Sequence, residues 1–570
     1  MSCLGKLFTS IINNRLSKFV EQTKIVGIEQ AGFRKGFSTM DHILTFKFIL
    51  DLYLSKRKKL YCAFIDFRKA FDSVDRLCLW EKLLNSGIKG KLFNVIFNMY
   101  KTAKSCVKVK GSLSEFFNCM AGVRQGENLS PLLFAIFLGD LHDYMSTTYK
   151  GLPLLQDIMY NIHIDQNIEV YLTLFVLLYA DDTIILAENA NELQFAISGM
   201  EEYCEENKLQ INVNKTKVMV FSRGKIRNKP TIYFGKEVLE VVYEYVYLGV
   251  TMNYNGSFNK AIQRLCDIAN RAMFELIKKS RSLFLDIDTI LKLFDSTIVP
   301  ILLYGSEVWG YSNSDLIERL HLRFCKIVLH VKKCTTSSMV YGELGRLPLK
   351  RHIQSRMLNF WIRLATCSHE KLSCSLYSLM LGIHVNNNVE CGWLQCIKST
   401  LNNIGLSNVW MAQGQGFNLA WFKNTVKQRL FDTSQQTWQC SLNTSSKCIN
   451  YRIFKNTFGF EHYLNYLPFK ARQLFTRFRC SNHRLPVELG SYTDTPRHLR
   501  LCTICEDIQV GDEYHYVFEC PYFDNVRCSL IKDSYSNIPS SFKFNVLFNS
   551  NGEELTKLCK LIQLIMKTVC

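Results

Sequence analysis

The stretch Leu177 to Leu186, L-L-Y-A-D-D-T-I-I-L, sets two adjacent carboxylates inside a run that is otherwise almost entirely apolar. An ionised carboxylate in such a setting costs several kcal/mol unless something compensates it. A chain with this run can place Asp181 and Asp182 at a tight turn between two strands, pair them with a nearby lysine, or aim them at a bound cation. The run alone leaves all three open.

A second carboxylate cluster precedes it: C-A-F-I-D-F-R-K-A-F-D-S-V-D, residues 62 to 75. Asp66 closes an apolar, strand-like run, while Asp72 and Asp75 read as a helix cap or a solvated turn. A strand-end Asp beside a strand–turn–strand Asp pair is the arrangement that holds two divalent cations. Such ions, about 3.5–4 Å apart, clamp the attacking and leaving oxygens of an in-line phosphoryl displacement. Magnesium suits this work because it takes oxygen ligands and keeps positions open for phosphates.

The rest of the composition points to a polyanionic partner. The chain of 570 residues carries 69 Lys and Arg against 50 Asp and Glu, a net charge of +19. Nucleic acid is the first candidate for such an excess. A membrane surface is the rival, but no segment offers a basic amphipathic helix free of other duties. The first twenty residues have Lys, Arg and Asn interrupting any apolar run, and the best apolar window, Leu172 to Leu178, is far too short to span a bilayer. The expectation is an intracellular protein, nuclear or cytoplasmic, neither secreted nor in the membrane. Its 22 Cys are then reduced thiols, without disulfides, and any clustered ones are metal ligands.

Hydrophobic periodicity divides the chain. Residues 1–255 mix strand-like runs (Cys62 to Asp66, Leu172 to Leu186, Val218 to Ser222, Tyr243 to Thr251) with helical patterns (Ser130 to Tyr144, Ala190 to Lys208). That mixture predicts an α+β sheet domain. From Phe258 the period turns helical: Phe258, Ile262, Leu265, Ala269, Met273 and Leu276 share one face, with Lys260, Arg264, Arg271 and Lys278 elsewhere. Helical pattern continues over 256–349 and dominates 350–480, with a loop near Asn386 to Asn388.

With these clusters in place the sequence resembles the reverse transcriptases of non-LTR (LINE-type) retrotransposons. The motifs that carry the resemblance occur in the family's order: E-Q-A-G-F-R-K-G-F-S-T-M-D-H-I (29–43), F-I-D-F-R-K-A-F-D, A-G-V-R-Q-G-E-N-L-S-P-L-L-F, Y-A-D-D, L-Q-I-N-V-N-K-T-K-V-M-V-F (209–221) and Y-V-Y-L-G-V (245–250). The resemblance implies a right-hand polymerase: fingers and palm with an antiparallel sheet in 1–255, a helical thumb in 256–349, a mainly helical region in 350–480, a zinc segment in 481–530 and a tail in 531–570. It implies RNA-directed DNA synthesis from deoxynucleoside triphosphates on a DNA primer, with RNA template and target DNA as partners. Asp66 and Asp181 would ligate two Mg²⁺ ions (or Mn²⁺), and Asp182 would complete the site. Phe67 would lie near the triphosphate, and Phe71 would exclude a ribose 2′-hydroxyl. Arg34 would contact the triphosphate, Gln125 and Gly126 the nucleotide and template base, and Lys215 would donate a proton to pyrophosphate. Tyr247, Leu248 and Gly249 match the turn that grips the primer end. Composition alone would make Phe71 a core residue and Lys215 a solvated lysine.

Near the C-terminus Cys502, Cys505, His515 and Cys520 have the spacing C-x2-C-x9-H-x4-C, the donor set of a closed structural zinc site. Buried thiols beside an unrelated histidine are the competing reading, and Cys528 is a weaker candidate ligand. The cluster resembles the zinc segment that follows the polymerase in many LINE-type proteins, and Arg479, Arg497 and Arg500 nearby suggest nucleic-acid contact. Against the family pattern, the opening fingers motif is incomplete, no endonuclease precedes the polymerase, and no P-D…K nuclease cluster follows the zinc segment. The expectation is an amino-terminally truncated copy from the branch with an upstream nuclease. A binding relic that no longer polymerises is the alternative. A group II intron maturase, which would end in an H-N-H nuclease with paired C-x2-C motifs, fits less well, and a retroviral enzyme lacks its protease and RNase H signals. Oligomeric state is left open.

Overall fold

Five strands form the central sheet of the computed structural model: β1 (Leu60–Asp66), β2 (Val176–Tyr179), β3 (Asp182–Ala187), β4 (Lys217–Phe221) and β5 (Glu240–Val242), in the order β5-β4-β1-β3-β2. The structure describes residues 3–27, 29–147, 152, 176–367, 371–386, 391–505 and 508–570. Part of the expected strand from Leu172, namely 172–175, and part of the expected loop, 387–388, lie outside the described residues.

β1 is central and antiparallel to both β3 and β4, and β2 is antiparallel to β3. The expected antiparallel sheet has one exception, because β5 runs parallel to β4. A parallel neighbour needs a crossover of a dozen or more residues, and residues 222–239 supply it. Alternation along β1 sends Leu60, Cys62 and Phe64 into one core and Ala63 and Ile65 into the other. Both faces are therefore covered, which is why these strands read as near-continuous apolar runs. Helix Thr39–Ser55 covers the first face. Helices Ser130–Phe137 and Ala190–Glu206 cover the second.

Two expected elements are divided. The run Tyr243 to Thr251 is a hairpin, β6 (Glu244–Tyr247) and β7 (Val250–Asn253), turned by Leu248 at φ +46° and Gly249 at φ +80°. Two consecutive residues of positive φ make the turn that matches strand twist. The helix expected over 130–144 breaks after Phe137 and resumes at Leu141–Ser146, with Gly139 in the gap. Helix Asn259–Ser282 follows the sequence pattern: Ile262, Leu265, Ala269 and Met273 are buried and Lys260, Arg264, Arg271 and Lys278 exposed.

The core on the Phe64 face runs without interruption through this helix and the following helices to Gly552–Val569. Its most unusual member is Arg479, with no exposed side-chain surface. The guanidinium is bonded to Glu343 (3.1 Å) and Glu461 (2.9 Å), among the rings of Phe454, Tyr463 and Phe475. The nucleic-acid role read for Arg479 is thus corrected: a fully buried guanidinium, neutralised by two carboxylates, has no surface to offer a strand. Arg497 is paired with Asp512, and Arg500 donates to the Thr495 and Val487 carbonyls, so neither is a free surface cation. The sulfurs of Cys367 and Cys374 are brought together where two consecutive helices meet, and the remaining cysteines are free thiols. Among the described residues no helix is long and apolar enough to cross a membrane.

Replacing Arg479 by Met would leave Glu343 buried without its counter-charge. The expected cost is about 3–5 kcal/mol, read as a lower thermal unfolding midpoint of the full chain. An unchanged midpoint would show that the two glutamates do not depend on this guanidinium.

Candidate active site

The end of β1 and the β2–β3 hairpin meet at one edge of the sheet, and the three aspartates stand there. Asp66, the last residue of β1, is in register with Asp182, the first of β3, and Asp182 in turn pairs with Tyr179 across the hairpin. Ala180 and Asp181 form the turn, with Ala180 in the left-handed region at φ +60°. Such a conformation is uncommon for a residue with a side chain and needs support from its surroundings.

That support is Gln30, which sequence reasoning missed. Its side chain is fully buried; Oε1 accepts from the backbone N–H groups of Ala180 (3.0 Å) and Gly32 (2.9 Å), and Nε2 donates to the Ala180 carbonyl (3.4 Å). The main chain joins in. Leu178 N–H donates to the Glu29 carbonyl (2.9 Å) and Ala31 N–H to the Leu178 carbonyl (3.0 Å), so residues 29–31 extend the sheet beyond β2. Gly32 packs so closely that a Cβ there would lie 2.2 Å from the Ala180 nitrogen. The only sequence signal was a Gln and a Gly two residues apart inside E-Q-A-G-F-R.

Asp66 is fixed from its other side. Its N–H donates to Thr216 Oγ1 (3.2 Å), its carbonyl accepts from Asn212 N–H (2.7 Å), and Lys215 on the same turn places Nζ 3.6 Å from Asp66 Oδ2. Among the described residues this is the one ion pair made by the three aspartates. Three carboxylates against one lysine leave an excess of negative charge. Asp182 is open to solvent on one side but packed by protein elsewhere; this desolvation, then the charges of Asp181 and Asp66, push its carboxyl up to about 6. Asp181 is raised as well, by desolvation and by Asp66, with its own backbone and Lys215 opposing. Oxygen-only donors in this number and with this surplus charge fit divalent cations.

The other expected residues divide between the site and its supports. Phe71 is half-buried, stacked on Phe134 at 5.0 Å with Phe33 edge-on at 6.2 Å. Gln125 Nε2 donates to both oxygens of Asp72 (3.0 Å each), next to Phe71, and Gly126 has φ +77° with open space where a side chain would go. Phe67 is buried and bridges through its backbone to Ile211. Arg34 is held away from solvent by Glu21 (2.8 Å) and the carbonyls of Gly27 (2.6 Å) and Gln30 (3.1 Å). Tyr247 is a core residue packed on Phe46 and Phe64, while Tyr304 donates its hydroxyl to the Leu248 carbonyl (2.8 Å) and fills the space beside Gly249. Asp75 caps helix Arg76–Asn85, as its sequence context suggested. A cleft of about 590 Å³ starts at Asp66 and Lys215 and runs between Tyr245 and the cations Lys260 and Arg264 of helix Asn259–Ser282.

A second cluster forms far along the chain. One donor atom each from Cys502, Cys505, His515 and Cys520 lies within 4.8 Å of all the others, and Cys505 Sγ is 3.3 Å from His515 Nε2. Partial burial raises the Cys502 thiol, but the Cys505 N–H, the Tyr516 hydroxyl and the Ile504 N–H together outweigh it and bring it down to about 6. Burial takes Cys520 up to about 12. His515 N–H donates to Asp512 Oδ1 (3.0 Å), and Arg497 holds the other Asp512 oxygen, so Arg497 braces this segment. Exposed Cys528 is not part of the group. Three soft sulfurs and an imidazole are a donor set that fits a soft or borderline metal ion.

Residues 1–252 match the family model described as reverse transcriptase (RNA-dependent DNA polymerase). They are a reverse transcriptase domain. The resemblance to non-LTR retrotransposon reverse transcriptases drawn from the motifs is borne out by the domain's relatives. The "Probable RNA-directed DNA polymerase from transposon BS" of Drosophila melanogaster is 28% identical over 391 residues, 64% of this chain and 39% of that protein. The RNA-directed DNA polymerase from mobile element jockey of Drosophila funebris is 26% identical over 57% of this chain and 33% of that protein. The chain thus spans between a third and two-fifths of the length of these relatives. A solved apo telomerase from Candida Tropicalis aligns at 13% identity over 74% of this chain and 61% of that one, with a TM-score of 0.32. The three aspartates and the Gln30 turn all lie within the reverse transcriptase domain.

Gln30→Leu would remove the acceptor for two buried amides, at about 1–3 kcal/mol each. Amide exchange of residues 179–182 should then accelerate by tenfold or more. Unchanged protection by hydrogen–deuterium exchange would show that the turn holds itself.

Proposed function

We propose that the chain is an RNA-directed DNA polymerase of a non-LTR retrotransposon, extending the 3′-OH of a DNA primer or nicked target on an RNA template with deoxynucleoside triphosphates. The observation that carries this reading is the convergence of Asp66, Asp181 and Asp182, three carboxylates with one lysine, where Asp66 and Lys215 open a basic cleft. Two Mg²⁺ ions (or Mn²⁺), held by Asp66 and Asp181 with Asp182 completing the set, would stabilise the charge on the attacking and leaving oxygens.

The chain's own residues do the rest by position. Phe71, wedged between Phe134 and Phe33, presents a ring with little room to retreat from a ribose 2′-hydroxyl, so it favours deoxynucleotides by steric conflict. Gly126, with open space beside it, admits close approach of a nucleotide to the main chain, and Gln125 is set by Asp72. Phe67's backbone is fixed beside Asp66 to line the triphosphate. Lys215 is placed to give a proton to the departing pyrophosphate. Arg34 reaches a triphosphate only by exchanging the Glu21 carboxylate for a phosphate. In the turn of Tyr247, Leu248 and Gly249, the buried Tyr247 ring leaves the main chain to meet the primer end. Lys260 and Arg264 neutralise backbone phosphates of the hybrid. Cys502, Cys505, His515 and Cys520 hold one structural Zn²⁺.

Primer extension by the full chain on poly(A)–oligo(dT) with Mg²⁺ tests the reading. Asp181→Ala should lower synthesis at least about a hundredfold; no synthesis by either protein, with RNA still bound, would make the chain a binding protein. Phe71→Ala should raise the use of ribonucleotides relative to deoxynucleotides while keeping dNTP extension, and an unchanged ratio would remove Phe71 from that role. Zinc content near one atom per chain, and a thermal midpoint that falls with chelator in the native chain but not in Cys520→Ser, are expected for the Cys/His site. Equal midpoints with and without chelator in the native chain would contradict it.

A further inference from the structure

Helix Asn259–Ser282 begins at the catalytic cleft, where Lys260 and Arg264 lie, and ends at a separate cavity of about 580 Å³. From Arg264 to Arg281 is seventeen residues, roughly 25 Å along the axis. The helix carries six basic residues against two acidic ones. The floor of the cavity is apolar, made by Ile277, Ile287, Ile290 and Ile327.

Two exposed aromatic rings stand at its rim. Phe284 is 93% exposed and sits at φ +52°, just past the helix end, where glycine is the usual residue. Phe469 is 52% exposed, with Arg472 over its ring at 5.7 Å and His330 edge-on at 5.0 Å. Three guanidiniums gather around these rings: Arg281 and Arg472 line the cavity, and Arg477 donates to the His330 carbonyl (3.0 Å). None of the three makes an ion pair among the described residues. The one carboxylate on the wall, Asp286, is turned to capping, with both oxygens taken by Thr289. The positive field is felt locally: burial first, then Arg281, Arg472 and Arg477, hold the His330 imidazole below its ordinary range.

An apolar slot, two exposed rings and three guanidiniums without ion pairs match a flat base flanked by phosphates. We propose that this cavity takes an unpaired nucleotide of a bound strand, its base against Phe284 and Phe469 and its phosphates on Arg281, Arg472 and Arg477. The inference rests on the reading that the catalytic cleft holds a nucleic-acid hybrid. An A-like hybrid lying along the helix, rising roughly 2.8 Å per base step, reaches the cavity about nine steps from the catalytic end, so the nucleotide bound there belongs to a tail beyond a short duplex. An acidic peptide could use the same cations, but it has no need of a track of cations leading from the cleft.

The test compares two RNA–DNA hybrids, one with eight base pairs and a flush upstream end, the other with a twelve-nucleotide unpaired tail beyond the same duplex. Affinity for the full chain is read by fluorescence anisotropy, with 4-thiouridine in the tail for cross-linking. The tail should add about tenfold in affinity and cross-link to the peptides containing Phe284 or Phe469. The double variant Phe284→Ala with Phe469→Ala should lose that increment while binding and extending the flush hybrid like the native chain, and Phe284→Trp should retain it. A tail that adds nothing to the native chain, or cross-links elsewhere, would overturn the inference. Equal loss on both hybrids in the double variant would overturn it too, as would an acidic apolar peptide that binds this cavity when the tail does not. Failure of the native chain to bind either hybrid would overturn the polymerase reading along with it.

Discussion

Three carboxylates held near one another by strand register are the constraint on which this structure depends. Asp66 and Asp182 are neighbours because β1 and β3 pair in that register, and Asp181 is there because the hairpin turns in two residues. A slip of one residue would turn every side chain of β3 to the opposite face. The sheet resists it by burying both faces of β1 and β3, so that slip would send the apolar residues of one core into the other. The repulsion concentrated at the sheet edge is thus sustained by hydrophobic burial along the strands.

Support for that edge comes from segments remote in sequence. Gln30 reaches across from the N-terminal region to fix Ala180, and the turn 212–216 fixes the backbone of Asp66 and carries Lys215. Tyr304, from the helical region, closes on the Leu248–Gly249 turn. The same logic recurs in the C-terminal half, where Arg479 draws Glu343 and Glu461 to one buried point. The two sites treat charge oppositely. Around Arg479 the charges are balanced within the chain, two carboxylates against Arg479 and Lys455, which also pairs with Glu461. At the aspartates they are left unbalanced, which is the mark of a site that works with cations.

Much of this was legible in the sequence, and the reasons differ by element. The strands around Asp66 and Asp181 could be read because burial on both faces makes apolar runs unmistakable. Helix Asn259–Ser282 could be read because one face is apolar and the other charged. The ring of Cys and His was fixed by spacing alone. The misses share a cause: tertiary contact changes the meaning of a residue without changing its local pattern. Arg479 sits in a basic stretch and looked like a surface cation until its two glutamates were seen, 136 and 18 residues away. Gln30 had no periodicity to reveal it, since its partner is 150 residues distant. The break at Gly139 has a different cause, local backbone conformation, which hydrophobic period does not report.

The central claim is that Asp66, Asp181 and Asp182 repel one another and are completed by divalent cations. The most direct measurement is the thermal midpoint of the full chain and of Asp182→Asn, each with and without several millimolar Mn²⁺. The account predicts a crossing: without metal the variant unfolds at the higher temperature, because one repelling charge is gone, and with metal the native chain gains stability that the variant does not. A native midpoint indifferent to Mn²⁺, or a variant less stable than the native chain without metal, would contradict it.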